Sequence, residues 1–104
     1  MTVYVSFIET RGLGGVIAAP AVGDCRVTET VALDGTSTAT AGQKETALIT
    51  NTGSDTVLIT HGKTPDASAT SRTSATNAGY PLLGSASIVV ATETGDKINV
   101  KAIA

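Results

Sequence analysis

Near the end of the chain, Ile98, Val100 and Ala102 fall on one parity while Lys97, Asn99 and Lys101 take the other. A period of two is that of a strand with one face on a core and the other in water. Burying Ile98 and Val100 contributes roughly 1.5–3 kcal/mol each. The run before it, Ala86, Ile88, Val89, Val90 and Ala91, is apolar on both parities, which predicts a strand with protein on both faces. Between them, Thr92-Glu93-Thr94-Gly95-Asp96 supplies the Gly and Asp that tolerate the positive φ of a hairpin loop. Residues 80–104 therefore read as a strand start, a buried strand, a turn and a closing strand, the last two strands forming a β-hairpin.

The same reading places a first strand at Thr2–Ile8. Val3, Val5 and Phe7 share one face, while Tyr4 and Ile8 make the other apolar too. Such a strand is either central in a sheet or part of an interface. Arg11–Asp24 is rich in Gly and Ala, with Pro20. It predicts a long connection without a helix, holding one short strand near Val16–Ala18. A second strand covers Cys25–Leu33, with Val27, Val31 and Leu33 facing in and Glu29 interrupting the apolar face, as an inward charge at a sheet edge does. Asp34-Gly35 is a turn, followed by the low-complexity stretch TSTATAGQ. Lys44–Asn51 and Thr56–His61 give a third and a fourth strand. The turn residues Asn51-Thr52-Gly53-Ser54-Asp55 between them predict a second hairpin.

Gly62–Gly79 (GKTPDASATSRTSATNAG) has no apolar period. Loops of this length without secondary structure are uncommon in compact domains. Ordering this one costs ~1–2 kcal/mol per residue in backbone entropy. It either finds compensation against a neighbouring molecule or lies over its own sandwich.

Composition narrows the class. At 104 residues the chain holds one core. Thr and Val are abundant and favour strands. The expected fold is all-β: a single β-sandwich domain over residues 1–104, jelly-roll or Greek-key like, with an extended N-terminal segment and the long 62–79 loop. Aromatic residues make up only 3%, so the core must come from small aliphatics. A thin core of that kind gains from added buried surface, which points to a homo-oligomer. The net charge of -2, with Lys and Arg scattered singly, argues against nucleic acid. No 18-residue apolar run is present, which argues against a membrane span. The N-terminus lacks a basic flank, so a Sec signal peptide is not expected. Lone Cys25 makes no intrachain disulfide and reads as a small buried hydrophobe.

Candidate chemistry is sparse. Gly62-Lys63-Thr64 is a fragment of a phosphate loop, but Val57 stands where that motif needs Gly and no helix pattern follows. Gly12-Leu13-Gly14-Gly15 follows a strand but has Ile17 where a dinucleotide fingerprint needs Gly. One His and one Cys make no metal cluster, and no oxygen-rich calcium loop is spelled out. His61 has no nucleophile elbow to serve. Asp24, Asp34, Asp55 and Asp96 sit beside Gly or Ser, as turn residues do. No enzyme, cofactor or metal is expected.

Gly79-Tyr80-Pro81-Leu82, then Ile88-Val89-Val90-Ala91 and Gly95-Asp96-Lys97-Ile98-Asn99-Val100, resemble a class of small tailed-phage virion proteins. These are the accessory capsid proteins that decorate or cement the shell, together with related head and tail components. The resemblance covers roughly residues 55–104. It implies a β-sandwich on the capsid exterior, made in the host cytoplasm, often a trimer or dimer, that braces the major capsid protein. Extended arms such as Thr2–Ile8 or the 62–79 loop would suit strand addition to a partner. On that reading Val3, Tyr4, Phe7, Ile8, Pro65, Arg72 and Tyr80 are the expected interface residues. A tail or head-fibre component is the nearest alternative, and a carbohydrate-binding or adhesin-type module a further one.

Overall fold

Among the described residues, seven strands form where β-branched and alternating residues concentrate. The computed structural model describes residues 2–12 and 20–103. The strands are β1 (Val3–Gly12), β2 (Pro20–Val31), β3 (Glu45–Asn51), β4 (Val57–Gly62), β5 (Tyr80–Leu82), β6 (Ser87–Ala91) and β7 (Lys97–Ala102). They make two antiparallel sheets, a four-stranded one in the order β2-β1-β3-β6 and a three-stranded one in the order β5-β4-β7. The all-β sandwich expected from composition and alternation is what forms.

Each sheet turns one parity inward. Val3, Val5 and Phe7 of β1, Ala47 and Ile49 of β3 and Val90 of β6 meet Val57 and Ile59 of β4, Leu82 of β5 and Ile98 and Val100 of β7. The single Phe of the chain lies at the centre, with no exposed surface. Its ring contributes more apolar area than any neighbouring aliphatic can.

Several expectations are corrected here. β1 is apolar on both sides because it is central, paired with β2 on one edge and β3 on the other. The Gly-rich stretch after it does not end the strand. Arg11-Gly12 and Pro20 to Asp24 continue β1 and β2 as one long antiparallel pair, while the short strand expected at Val16–Ala18 lies outside the described residues. Leu33 falls beyond the end of β2 and is exposed, and Cys25 is exposed within that strand.

Neither expected hairpin exists. β3 and β4 belong to different sheets, as do β6 and β7. The turn residues are in place, with Gly95 at φ 91°, but both turns are arches that carry the chain from one sheet to the other. Buried polar side chains build them. Asn51 Nδ2 donates to Asp55 O at 2.8 Å and lies 3.4 and 3.3 Å from Leu82 O and Leu83 O, while its Oδ1 accepts from Gly53 N at 3.0 Å. In the second arch Asp96 Oδ2 accepts from Glu93 N at 3.0 Å, and the arch main chain bonds Ala41 through Gly95 N→Ala41 O and Ala41 N→Asp96 O.

The segment 62–79 lies over its own sandwich. Thr60 and Asn99 are cross-strand partners on the outer face of the three-stranded sheet, and both are buried. Thr60 Oγ1 is 3.0 Å from both Asn77 O and Ala78 O. Asn99 Oδ1 accepts from Ala67 N at 2.8 Å, and Ala67 is itself buried. The loop recovers its ordering entropy through main-chain bonds to side chains of the sheet, since it has no large apolar groups to bury.

Candidate functional site

An open groove of about 460 Å³ runs between the 62–79 loop and the second arch. Its floor is set by β4, which ends by placing His61 and Gly62 beside Asp96. Gly62 fits there because a Cβ would collide with Ala75 O and Thr76 Cα. His61 Nδ1 is 3.0 Å from Asp96 Oδ2, and Lys63 Nζ is 2.8 Å from Asp96 Oδ1 and 2.7 Å from Thr94 O. An ionised carboxylate only accepts, so the ring carries its proton on Nδ1. Asn77 Nδ2 lies 3.4 Å from both ring nitrogens and donates to His61 O at 2.9 Å. Burial pushes Asp96 up, but the bonds from Lys63, Glu93 N and His61 outweigh it and hold the carboxyl below its ordinary range.

A histidine oriented by a carboxylate is half of a general-base device. Of the hydroxyls that line the groove, those of Thr73, Thr76 and Thr92 are engaged elsewhere, while that of Ser74 is exposed. Thr92 Oγ1 donates to Glu45 O, Thr76 Oγ1 donates to Asn77 O and accepts from Asp66 N, and Thr73 Oγ1 accepts from Ala75 N and Thr76 N. What the cluster does on this geometry is join the loop to the arch. The Gly62-Lys63-Thr64 fragment serves that joint too, with its lysine on Asp96. Among the described residues no three His, Cys, Asp or Glu side chains gather as a metal site would, and no helix is long and apolar enough to cross a membrane.

The outer face of the four-stranded sheet is different in kind. Register aligns Thr30–Tyr4–Thr50–Ser87 in one row and Thr28–Ser6–Leu48–Val89 in the next. Neither row contains a charge. Ser6 Oγ and Thr28 Oγ1 are 2.7 Å apart, and Thr50 Oγ1 and Ser87 Oγ 3.0 Å. These hydroxyls already have partners on the face, so covering them forfeits little hydration. Tyr4 and Val89 are 41% and 61% exposed.

The structure does not bring the seven expected interface residues together. Val3, Phe7 and Ile8 are buried; the first two fill the core because β1 is central, and they offer no side chain to a partner. Tyr4 is exposed on the outer sheet face. Tyr80, half-buried on β5, packs against the core, and burial raises its phenol above the ordinary value. Pro65 is half-buried in the loop, and exposed Arg72 lines the groove. The exposed apolar residues passed over are Leu33, Leu83, Val89 and Ile103. One sequence signal was available for two of them: from Tyr80 to Thr92 no side chain carries a charge.

Comparison with known protein families, with characterised proteins and with solved structures finds no match to this chain.

Proposed function

We propose that this chain is a non-enzymatic structural protein of a tailed-phage virion. It binds the exterior of the mature capsid through the outer face of its four-stranded sheet and braces the major capsid protein beneath. The observation that carries the reading is that face, two registered rows with no charge and with four of their six hydroxyls paired. Such a surface docks by shape and dispersion at low desolvation cost. The resemblance of residues 55–104 to virion accessory proteins supplies the partner. Thr76 and Thr92, the least exposed hydroxyls of the groove, donate to main-chain carbonyls, which favours a binding role over catalysis. A sugar-binding module is less favoured, because a stacking platform needs exposed aromatic rings and Tyr4 is the one aromatic among the exposed large hydrophobics.

The mechanism is mass action. A ligand that binds the intact shell and not its disrupted parts stabilises the shell by its binding free energy. The test is co-sedimentation with expanded capsids of the phage that encodes the chain. Binding should saturate at a fixed ratio to the major capsid protein and raise the temperature at which shells open. Tyr4→Glu and Thr28→Glu should weaken it by about tenfold or more with unchanged melting of the free protein. A wild-type chain that stays in the supernatant with every capsid form overturns the reading.

A further inference from the structure

A sheet edge presents a row of unpaired N–H and C=O groups that templates another strand, and proteins guard such edges with charge, proline, irregular register or a covering segment. The sandwich has four edges, and three are guarded. β2 carries Asp24, Arg26 and Glu29, and its pairing with β1 shifts register twice. β5 has three residues with Pro81 in the middle, which lacks an N–H. The edge of β7 is covered by Gly35–Ser37, with Ser37 N→Ile98 O at 2.8 Å and Val100 N→Gly35 O at 3.0 Å. Among the described residues, β6 has none of these protections. It is uncharged, contains no Pro, and pairs only with β3.

We propose that the free edge of β6 docks a second copy of this chain. Two β6 strands pair antiparallel about a two-fold axis at Val89, and the two four-stranded sheets become one. The existing ladder dictates the register. The bond from Asn51 N to Ala86 O, at 2.9 Å, extends a ladder in which Ile88 opposes Ile49 and Val90 opposes Ala47. Alternation then directs the N–H and C=O groups of Ile88 and Val90 to β3, and those of Ser87, Val89 and Ala91 to the free edge. A two-fold at Val89 sets Val89 against its own counterpart and Ser87 against Ala91, so every outward group of the three residues finds a partner. No like charges meet. Glu93, the first charged residue after the strand, falls across from Ser85 of the second copy.

A second copy fits better than an unrelated strand because the edge is complementary to itself in hydrogen bonding and in charge. The pairing also closes. Both β6 edges are consumed, and the guarded β2 edges at the far ends stop growth, whereas β6 on β2 would propagate head to tail. Two five-residue strands bury less than the ~800 Å² per partner of a standard interface, so the dimer dissociates on dilution. The inference concerns the free protein and does not rest on the capsid reading.

Light scattering behind size-exclusion chromatography, over a concentration series, tests it. Wild-type mass should climb from monomer toward dimer. Val89→Lys, a change at an exposed position that sets two ammonium groups against each other, should hold the mass at monomer with unchanged melting temperature. Register is read by mild oxidation in a Cys25→Ser background. Val89→Cys should link to itself, since opposed Cα atoms lie about 5.5 Å apart, within disulfide reach. Ser87→Cys, about 14 Å from its own counterpart, should not, yet should link to Ala91→Cys when the two are mixed. A wild-type monomer at the highest concentration overturns the proposal, as does a dimer that Val89→Lys leaves intact and Val89→Cys fails to link.

Discussion

Asp96 Oδ2 and His61 Nδ1, 3.0 Å apart, tie the arch after β6 to the end of β4, so one buried carboxylate fastens both sheets and the long loop. Its ordinary value is 3.8 and the fold lowers it. A carboxyl depressed in the folded state adds stability that is fully present above the unfolded value and is lost as pH falls through the folded one. Stability should therefore decline below about pH 4. Asp96→Asn should lose about 1–3 kcal/mol at neutral pH and flatten the acid limb. Urea unfolding at a series of pH values measures both; an acid limb as steep in the variant as in the wild type would remove Asp96 as its source.

Asn51 serves the first arch in the same way without charge. Asn51→Leu keeps the branching and the number of heavy atoms but leaves the carbonyls of Asp55, Leu82 and Leu83 and the amide of Gly53 short of a partner. The expected loss is about 2–4 kcal/mol, seen as a fall in melting temperature. A variant that melts with the wild type would mean that water replaces the side chain.

Gly79 passes so close to Ala67 that a Cβ would overlap its carbonyl oxygen. Gly79→Ala should force the loop off Thr60 and Asn99, at a cost of about 1–3 kcal/mol or more. Amide exchange should rise at Ala67, whose N–H donates to Asn99, and at Asn77, which donates to His61 O. Unchanged exchange there would show that the loop moves aside without detaching.

Glu29 points its carboxylate at the 36–41 segment, accepting from Thr38 N and Thr38 Oγ1 at 3.1 Å and from Ala39 N at 2.7 Å. Glu29→Ala should cost about 1–3 kcal/mol and unguard β2. Turbidity on warming should then appear earlier than in a variant of similar expected stability altered elsewhere, such as Asp96→Asn. Equal turbidity in the two would restrict Glu29 to its bonding role.

Strand positions were legible because Val, Thr and Ile alternate with polar residues, and alternation survives whatever the strand pairs with. Partnership was not legible. Asn51–Asp55 and Thr92–Asp96 carry the residues of a hairpin turn, and those residues permit a reversal without saying whether the next strand returns beside its predecessor or across from it. The difference lies in Asn51 and Asp96 turning inward, which composition does not reveal. The edge position of Glu29 was readable, because an acid on an apolar face has few other places to go. The joint around His61 was hidden, since its members are separated by 35 positions in the chain.

The two arches also bear on how the molecule forms. Because β3 and β4, and again β6 and β7, are divided between the sheets, neither layer can be assembled from one continuous stretch. β4 gains its second neighbour from β7 and β3 from β6, and each of these closures must span a long intervening segment. Refolding should therefore be slow for a chain of this length and occur in a single step, with no half-molecule able to stand in for the whole.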